Sequence, residues 1–286
     1  MNSFSIHNPF TNLSYTIDMN IAVVGHLEWG RFARVSHLPV AGEIIHATGS
    51  WEEVAGGGSV AAMQLAQLNG KCSFFTAVGS DELGKKSIDQ LRQNGVEVYA
   101  SIDTVQPTKT ITVHIDDNHE RTITVIGNLM PNGNDVTLPW EKLAEMDAVY
   151  FVSGDKSALQ HARKARQLVS TARIVPMLQE SGILVDALLK SEKDSGEVYR
   201  SGDISPEPSL IITTQGANGG YLNTGERYEA EALTLEQIVD FYGCGDSFAA
   251  GIAYGLGNHV QMNEVLKIAA HAGAMAAQRR GVFGNR

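Results

Sequence analysis

Cysteine is nearly absent. Cys72 and Cys244 are the only two among 286 residues, which leaves no disulfide framework and fits a reducing, cytoplasmic setting. Also missing is any Lys/Arg-rich run: 22 basic residues face 32 acidic ones for a net charge of −10, so neither nucleic acid nor an anionic membrane surface is an expected partner. No apolar stretch reaches the roughly 18 to 20 residues that span a bilayer. The opening residues, MNSFSIHNPF, lack a basic head followed by an apolar run, so no secretory signal is expected. The nine histidines are scattered and form no Cys/His cluster at zinc spacing. No Pro/Gly/Ser linker or composition break divides the chain, and its length by itself fits one large α/β domain or two small ones. The acidic balance leaves anionic substrates open, because backbone N–H groups alone can build a phosphate site.

What is present is an alternating pattern over an apolar fraction of 43%. NIAVVGHLEW reads as a short strand ending at Gly25, and SVAAMQLAQLNG (59–70) has helical spacing stopped by Asn69–Gly70. KCSFFTAVG is a second buried-type strand, followed by the amphipathic helix DELGKKSIDQLRQNG with its stop at Gly95. This order predicts a mostly parallel sheet covered on both faces. The middle differs. TKTITVHIDDNHERTITVIG alternates Thr, Ile and Val around a polar turn, Asp116 to Glu120, and predicts a β-hairpin. GEIIHATGSWEEVAGGG predicts a short strand or two, so a small sheet is expected beside the main body. The α/β rhythm then resumes: MDAVYFVSG as a strand, ALQHARKARQLVSTA as a helix, RIVPML as a strand weakened at its centre by Pro176, and SLIITTQGANGGYL as a strand entering a Gly-rich turn. GCGDSFAAGIAYGLG and NEVLKIAAHAGAMAAQRRG close the chain as helices.

DFYGCGDSFAAG (240–251) carries the clearest chemistry. A helix N-terminus exposes unpaired N–H groups and a partial positive charge. The small residues Gly243, Cys244 and Gly245 let those amides approach an anion unobstructed. Asp246 beside them can accept a proton from a substrate hydroxyl, an arrangement suited to phosphoryl transfer, which needs mainly alignment and charge stabilisation. The helix dipole is expected to lower the Asp246 carboxyl pKa. The competing structural reading makes Asp246 a helix cap.

The stretch resembles the C-terminal signature of the ribokinase-like, or PfkB-type, carbohydrate kinases, Asp-Thr-x-Gly-Ala-Gly-Asp-[Ser/Thr]-Phe. Phe241 stands for the Thr and Cys244 for the Ala, with the Gly-x-Gly-Asp kernel intact. The resemblance assigns the catalytic base to Asp246 and the anion hole to Gly243, Cys244 and Gly245. It extends over nearly the whole chain. GGGSVAAMQLAQLNGKCSFFTAVGSDELGKKSIDQLRQNGVEV is similar to the N-terminal signature, and TKTITVHIDDNHERTITV to the β lid. TTQGANGG is similar to the Thr-x-Gly-x-x-Gly loop near the nucleotide phosphates, through Thr214, Gly216 and Gly219. DSGE stands in the place of Asn-x-x-Glu, with Glu197 matching and Asp194 replacing the Asn; that motif organises magnesium and phosphate through water. The implied protein is a single domain, 1–286, of three-layer αβα ribokinase-like fold, with a lid from roughly 35–52 and 97–126. The implied activity is ATP- and magnesium-dependent phosphorylation of a hydroxyl on a small sugar or nucleoside. His271 is placed near the adenine, although a core histidine fits as well.

On the acceptor side the chain departs from the family. The acid expected after the first strand falls at Gly30, and Glu28, two residues earlier on the same strand face, is the substitute candidate. Arg31 is a candidate contact for an anionic group, and Gly56, Gly57 and Gly58 for a turn closing around substrate hydroxyls. Ala61 stands where an Asn is usual. Asp240 and the tail RRGVFG lie where some members hold a monovalent cation such as K⁺. The β-rich lid implies a homodimer that covers its edges. Three rival readings accompany these expectations. One is a chemically silent ligand sensor on the same scaffold. Another is a nicotinamide enzyme, because GGGSVA also satisfies G-x-G-x-x-A. The third is a reactive thiol at Cys244, set against its reading as a small spacer.

Overall fold

The computed structural model describes residues 19–284; the opening MNSFSIHNPF lies outside the described residues. The first described strand lies in the middle of the main sheet. β1 (Ile21–Val24) is buried throughout and pairs in parallel with β4 (Cys72–Gly79) and β8 (Ala148–Phe151). β5 (Val96–Asp103) extends the sheet beyond β4. On the other side follow β9 (Gln167–Thr171), β10 (Ala187–Ser191) and β11 (Leu210–Thr214), all parallel, then β12 (Gly220–Leu222) and β13 (Arg227–Tyr228), antiparallel. The nine strands run in the order β13-β12-β11-β10-β9-β8-β1-β4-β5.

Successive side chains of a strand point to opposite faces, and each face has its own core. Ile21, Val23, Phe74 and Tyr150 pack with α1 (Gly57–Asn69), α5 (Cys244–Gly257) and α6 (Met262–Ala277). Ala22, Val24, Phe75, Val149 and Phe151 pack instead with Trp140, Leu143, α3 (Lys156–Ala162) and α4 (Val175–Ser181). Burial of each large apolar side chain contributes about 1.5–3 kcal/mol. The result is a three-layer αβα body.

A second sheet stands beside it in the order β3-β2-β6-β7, formed by β3 (Gly49–Ala55), β2 (Glu28–Arg34), β6 (Thr110–Ile115) and β7 (Arg121–Ile126). β2 runs antiparallel to β3 and parallel to β6, and β6–β7 is the expected hairpin. The lid therefore differs from the expected spans. Residues 28–34 belong to it, whereas β5, inside the expected 97–126, belongs to the main sheet. The cause is the crossover through α2 (Glu82–Gln93), capped by Asp81, which returns the chain to the sheet and buries Val96 and Val98 in the body core.

The segment ALQHARKARQLVSTARIVPML also resolves differently. Helix α3 stops at Ala162, QLVST forms strand β9, and RIVPML turns into α4. Pro176 sits in the first turn of α4, where its missing N–H has no helical partner to lose. Among the described residues no helix is long and apolar enough to cross a membrane.

Candidate active site

The parallel strands end at one edge of the body, where ligand crevices of open α/β sheets form, and the small sheet overhangs that edge. Helix α5 points its N-terminus into the gap. Gly243 caps it in the left-handed region, φ 76°, and a Cβ there would stand 2.8 Å from Val60 Cγ1, so glycine is required twice over. The first helical bond runs from Ser247 N–H to the Gly243 carbonyl at 2.9 Å, and no side chain caps the helix. Among the described residues no hydrogen bond engages the amides of Cys244, Gly245 and Asp246, which are thus left for an external acceptor. A Cβ on Gly245 would meet nothing within 4 Å, so that flank of the first turn is open.

Asp246 does not cap its own helix. Its carboxylate turns toward Gly57, where a Cβ would lie 2.7 Å from Oδ1, and Tyr150 Oη donates to Oδ1 at 3.4 Å. Burial pushes the Asp246 carboxyl above its ordinary value, against the opposing charges of Arg173 and Arg121. The expected lowering by the helix dipole is overturned: desolvation by the groups packed around the carboxyl is the larger effect.

Across the gap, Glu28 lies on β2 and is buried, with Lys109 Nζ 3.1 Å from its Oε1. Desolvation raises its pKa and Lys109 opposes the rise. The absence of a side chain at Gly30 has a steric basis, since a Cβ there would be 2.5 Å from the Phe32 ring and 2.9 Å from Ala55 Cβ. His26 completes this wall. Its Nε2 accepts the Gly57 N–H at 3.2 Å, which leaves Nδ1 to donate to Ser153 Oγ at 2.8 Å. Burial, then Lys109 and Arg173, lower its pKa to about 3, so it is a neutral imidazole.

The three glycines of GGGSVA have separate tasks. Gly56, φ 92°, gives its N–H to Tyr242 Oη at 2.8 Å. Gly57 alone of the three is not buried, and it borders Asp246. Gly58 lets α1 approach the His26 carbonyl and Phe74, 2.6 and 2.9 Å from where its Cβ would be. The first two amides are occupied by protein side chains, so the turn does not present them to an acceptor. The dinucleotide alternative fails on topology. GGGSVA follows β3 of the small sheet rather than a parallel strand of the body.

Farther along the main sheet, the loop after β10 holds Asp194 and Glu197, both paired with Arg173 from the turn after β9. Glu197 Oε1 accepts from Thr171 Oγ1 at 3.1 Å and lies 3.3 Å from Arg173 Nε, which leaves Oε2 for water or an ion. Burial raises the Glu197 pKa, Arg173 opposes it, and the charge of Asp246 adds to the rise, so the two carboxylates share one field. Thr214 ends β11 and donates to the Lys190 carbonyl at 3.4 Å. Gly216, φ 63°, and Gly219, φ 71°, turn the chain, and a side chain at Gly219 would run into the Tyr228 carbonyl. Tyr228 stacks on Phe248 of α5 at 5.6 Å, which holds this loop beside the N-terminal turn of α5. His271 reaches the same side from α6 and pairs with Glu231 at 2.7 Å.

Two expected residues lie elsewhere. Arg31 points to the other face of β2 from Glu28, exposed and 3.1 Å from Glu52. Asp240 is fully buried just before the start of α5, its oxygens accepting the amides of Tyr242 and Gly281. Cys244 is half-buried, and burial pushes its thiol up to about 12, so it is not an activated nucleophile and remains a spacer. Sequence reasoning missed His26, Lys109, Tyr150 and Arg173. Lys109 opens the hairpin strand and carried a weak signal, a charge at the inward edge of an alternating run. The other three carried none, because strand pairing alone brings them to the cleft.

An overhanging small sheet, a helix N-terminus with free amides and a carboxylate alongside define a three-layer α/β phosphotransferase of small molecules. The chain belongs to the PfkB family of carbohydrate kinases: the family model described as pfkB family carbohydrate kinase matches residues 18–181 and 160–285. It is similar to a ribokinase of Lactococcus lactis, 24% identical over 92% of each chain, and to a fructokinase of Klebsiella pneumoniae, 27% identical over 78% of this chain and 85% of that one. Among solved structures, a putative ribokinase from Agrobacterium tumefaciens superimposes with a TM-score of 0.76 at 18% identity, covering 93% and 94% of the two chains. The Arabidopsis thaliana ribokinase complexed with ribose and ATP gives a TM-score of 0.69 at 19% identity, covering 93% and 95%. These likenesses establish the ribokinase-like fold.

Proposed function

We propose that the chain transfers the terminal phosphoryl group of ATP to a hydroxyl of a small sugar or nucleoside, with Asp246 as the general base. The observation that carries this is the pairing of three unbonded amides, at residues 244–246, with the one carboxylate that faces Gly57 across the cleft. The solved relative with ribose and ATP and another with ADP support the ligand classes. An Asp246 oxygen takes the proton of the acceptor hydroxyl as the hydroxyl oxygen bonds to the γ-phosphorus. The bond to the β-phosphate oxygen then breaks and ADP leaves. The raised carboxyl pKa makes Asp246 a stronger base than a solvated aspartate. The 244–246 amides hold the developing charge; losing one such donor costs on the order of 100- to 1000-fold in rate.

Asp194 and Glu197 fit a magnesium ion held through water, as hard oxygen donors with Glu197 Oε2 still available. The ion would neutralise charge on the ATP phosphates. Arg173 fixes both carboxylates and lies within charge reach of Asp246. Thr214, Gly216 and Gly219 border the nucleotide, with His271 on the adenine side. Glu28, Lys109, His26 and Gly57 line the acceptor side. The lid excludes water from the transfer.

ATP turnover over a panel of sugars and nucleosides tests the reading. Binding without transfer for every ligand would establish the silent sensor instead. We also propose a homodimer through the lid, because every residue of β7 is exposed, including Ile123, Val125 and Ile126. Sedimentation of the protein against a variant with Val125→Lys reads this directly, and a monomeric parent rejects it.

A further inference from the structure

The residues around Asp240 do not fit the monovalent cation that the family resemblance placed there. Such an ion is held by oxygen lone pairs that it need not share with other cations. Asp240 Oδ1 accepts the Tyr242 N–H at 2.9 Å and Oδ2 the Gly281 N–H at 3.3 Å. Arg34 Nη2 stands 3.9 Å from Oδ2 and donates to the Val239 carbonyl at 3.0 Å, an oxygen that His119 Nδ1 also meets at 3.0 Å. The tail carrying the other candidate ligands is tied down by Glu53, which is buried and accepts the Val282 N–H at 2.8 Å. A side chain on Gly281 would run into Glu53 Oε1. Arg279 exerts its charge on both buried acids, and Arg280 stacks over Trp51 and acts on Glu53. Three guanidinium groups thus surround two carboxylates, so an added cation would enter a region already positive.

We infer that the Arg34 guanidinium takes the place of a monovalent cation, holds the extended segment that enters the anion hole, and makes nucleotide binding independent of potassium. The inference rests on the nucleotide reading above. The geometry gives Arg34 the leverage. Val239 and Asp240 both donate to the Ala277 carbonyl, at 2.8 and 3.4 Å, and Phe241 donates to the His119 carbonyl in the lid turn at 3.2 Å. Asp240 in turn fixes the amide of Tyr242, the residue before Gly243. Arg34 belongs to β2, so one side chain ties the lid to the loop that builds the anion hole. It is a positioning residue and touches no reacting atom.

The test is equilibrium binding of a non-hydrolysable ATP analogue with magnesium, in KCl, NaCl and N-methylglucamine chloride at equal ionic strength. The intact protein is expected to bind within about twofold in all three, and its melting temperature not to rise with KCl, since an ion bound to the native state would stabilise it by mass action. Arg34→Gln is expected to bind about tenfold more weakly without potassium, a difference of about 1.4 kcal/mol, and to recover in KCl. Arg34→Lys is expected to keep most of the affinity. A parent protein whose affinity or melting temperature climbs with KCl overturns the inference. So does an Arg34→Gln protein with parental affinity in every salt. If Arg34→Gln does not fold, the parent series and Arg34→Lys still decide. If the parent binds no nucleotide in any salt, the nucleotide reading falls, and the melting series alone judges Arg34.

Discussion

Gly57→Ala isolates the position of the base from its identity. Gly57 begins α1 with an ordinary backbone, so alanine is conformationally acceptable there. Its Cβ, however, would lie 2.7 Å from Asp246 Oδ1 and 3.1 Å from both Cγ and Oδ2. An ordinary C···O contact is about 3.3 Å, so the carboxylate has to retreat by about 0.6 Å. Misplacement of a reacting group by about 1 Å costs on the order of 100-fold in rate, which puts this shift at roughly 10- to 100-fold. That corresponds to about 1.4–2.7 kcal/mol of transition-state stabilisation. Stability moves the other way or not at all, because alanine exceeds glycine by up to about 1 kcal/mol in a helix. The assay is steady-state kcat/KM with the best acceptor, together with the melting temperature. The same substitution is then made in an Asp246→Asn background, where no base remains to be displaced and the two losses should not add. Activity within about threefold of the parent, or an equal effect in both backgrounds, would refute the placement of Asp246 as base against Gly57.

Asp246→Asn should lower kcat by on the order of 100- to 10,000-fold while leaving ATP affinity near normal. Its stability has a definite sign. The folded pKa of Asp246 lies above its unfolded value, so the ionised carboxylate opposes folding above the folded pKa, and that penalty fades as pH falls toward the ordinary 3.8. The Asn variant should therefore melt higher than the parent at pH 7, with the gap closing on acidification; a lower melting temperature at pH 7 counts against the burial argument. In activity, the same raised pKa places the acid limb of kcat/KM above that of a solvated aspartate, and a limb centred at or below 3.8 contradicts it. Lys109→Met strands Glu28 in a buried site and should cost about 3–5 kcal/mol in urea unfolding. Adding Glu28→Gln should restore most of it, and a single variant as stable as the parent would show that the pair is not buried. Cys244→Ala should keep activity within about threefold, and iodoacetamide should modify the parent slowly, because its thiol pKa is about 12; rapid labelling with loss of turnover would restore the reactive-thiol reading.

Motifs carried by local backbone chemistry were legible in the chain. The Gly243–Gly245 turn and the helix after it follow from small residues ahead of an Ala-rich run, and the hairpin around 116–120 follows from alternation. The errors came where two periods overlap. QLVST follows a helical run without a Gly or Pro stop, so its strand was absorbed into α3, and Pro176 was weighed as a strand breaker when it serves as a helix opener. The expected lid span of 97–126 takes in most of β5, and only its parallel pairing with β4 places that strand in the main sheet.

The sequence by itself determined the α/β body, the lid hairpin and the identity of the residues at the helix mouth, because these depend on side-chain period and on which residues tolerate a left-handed turn. Tertiary structure alone decided which charges meet. It brought Arg173 to Asp194 and Glu197, Lys109 to Glu28, and Arg34 to Asp240 across 205 or fewer intervening positions. It also turned the Asp246 carboxyl from a dipole-stabilised anion into a stronger base, because desolvation depends on what surrounds a group in space and leaves no trace along the chain.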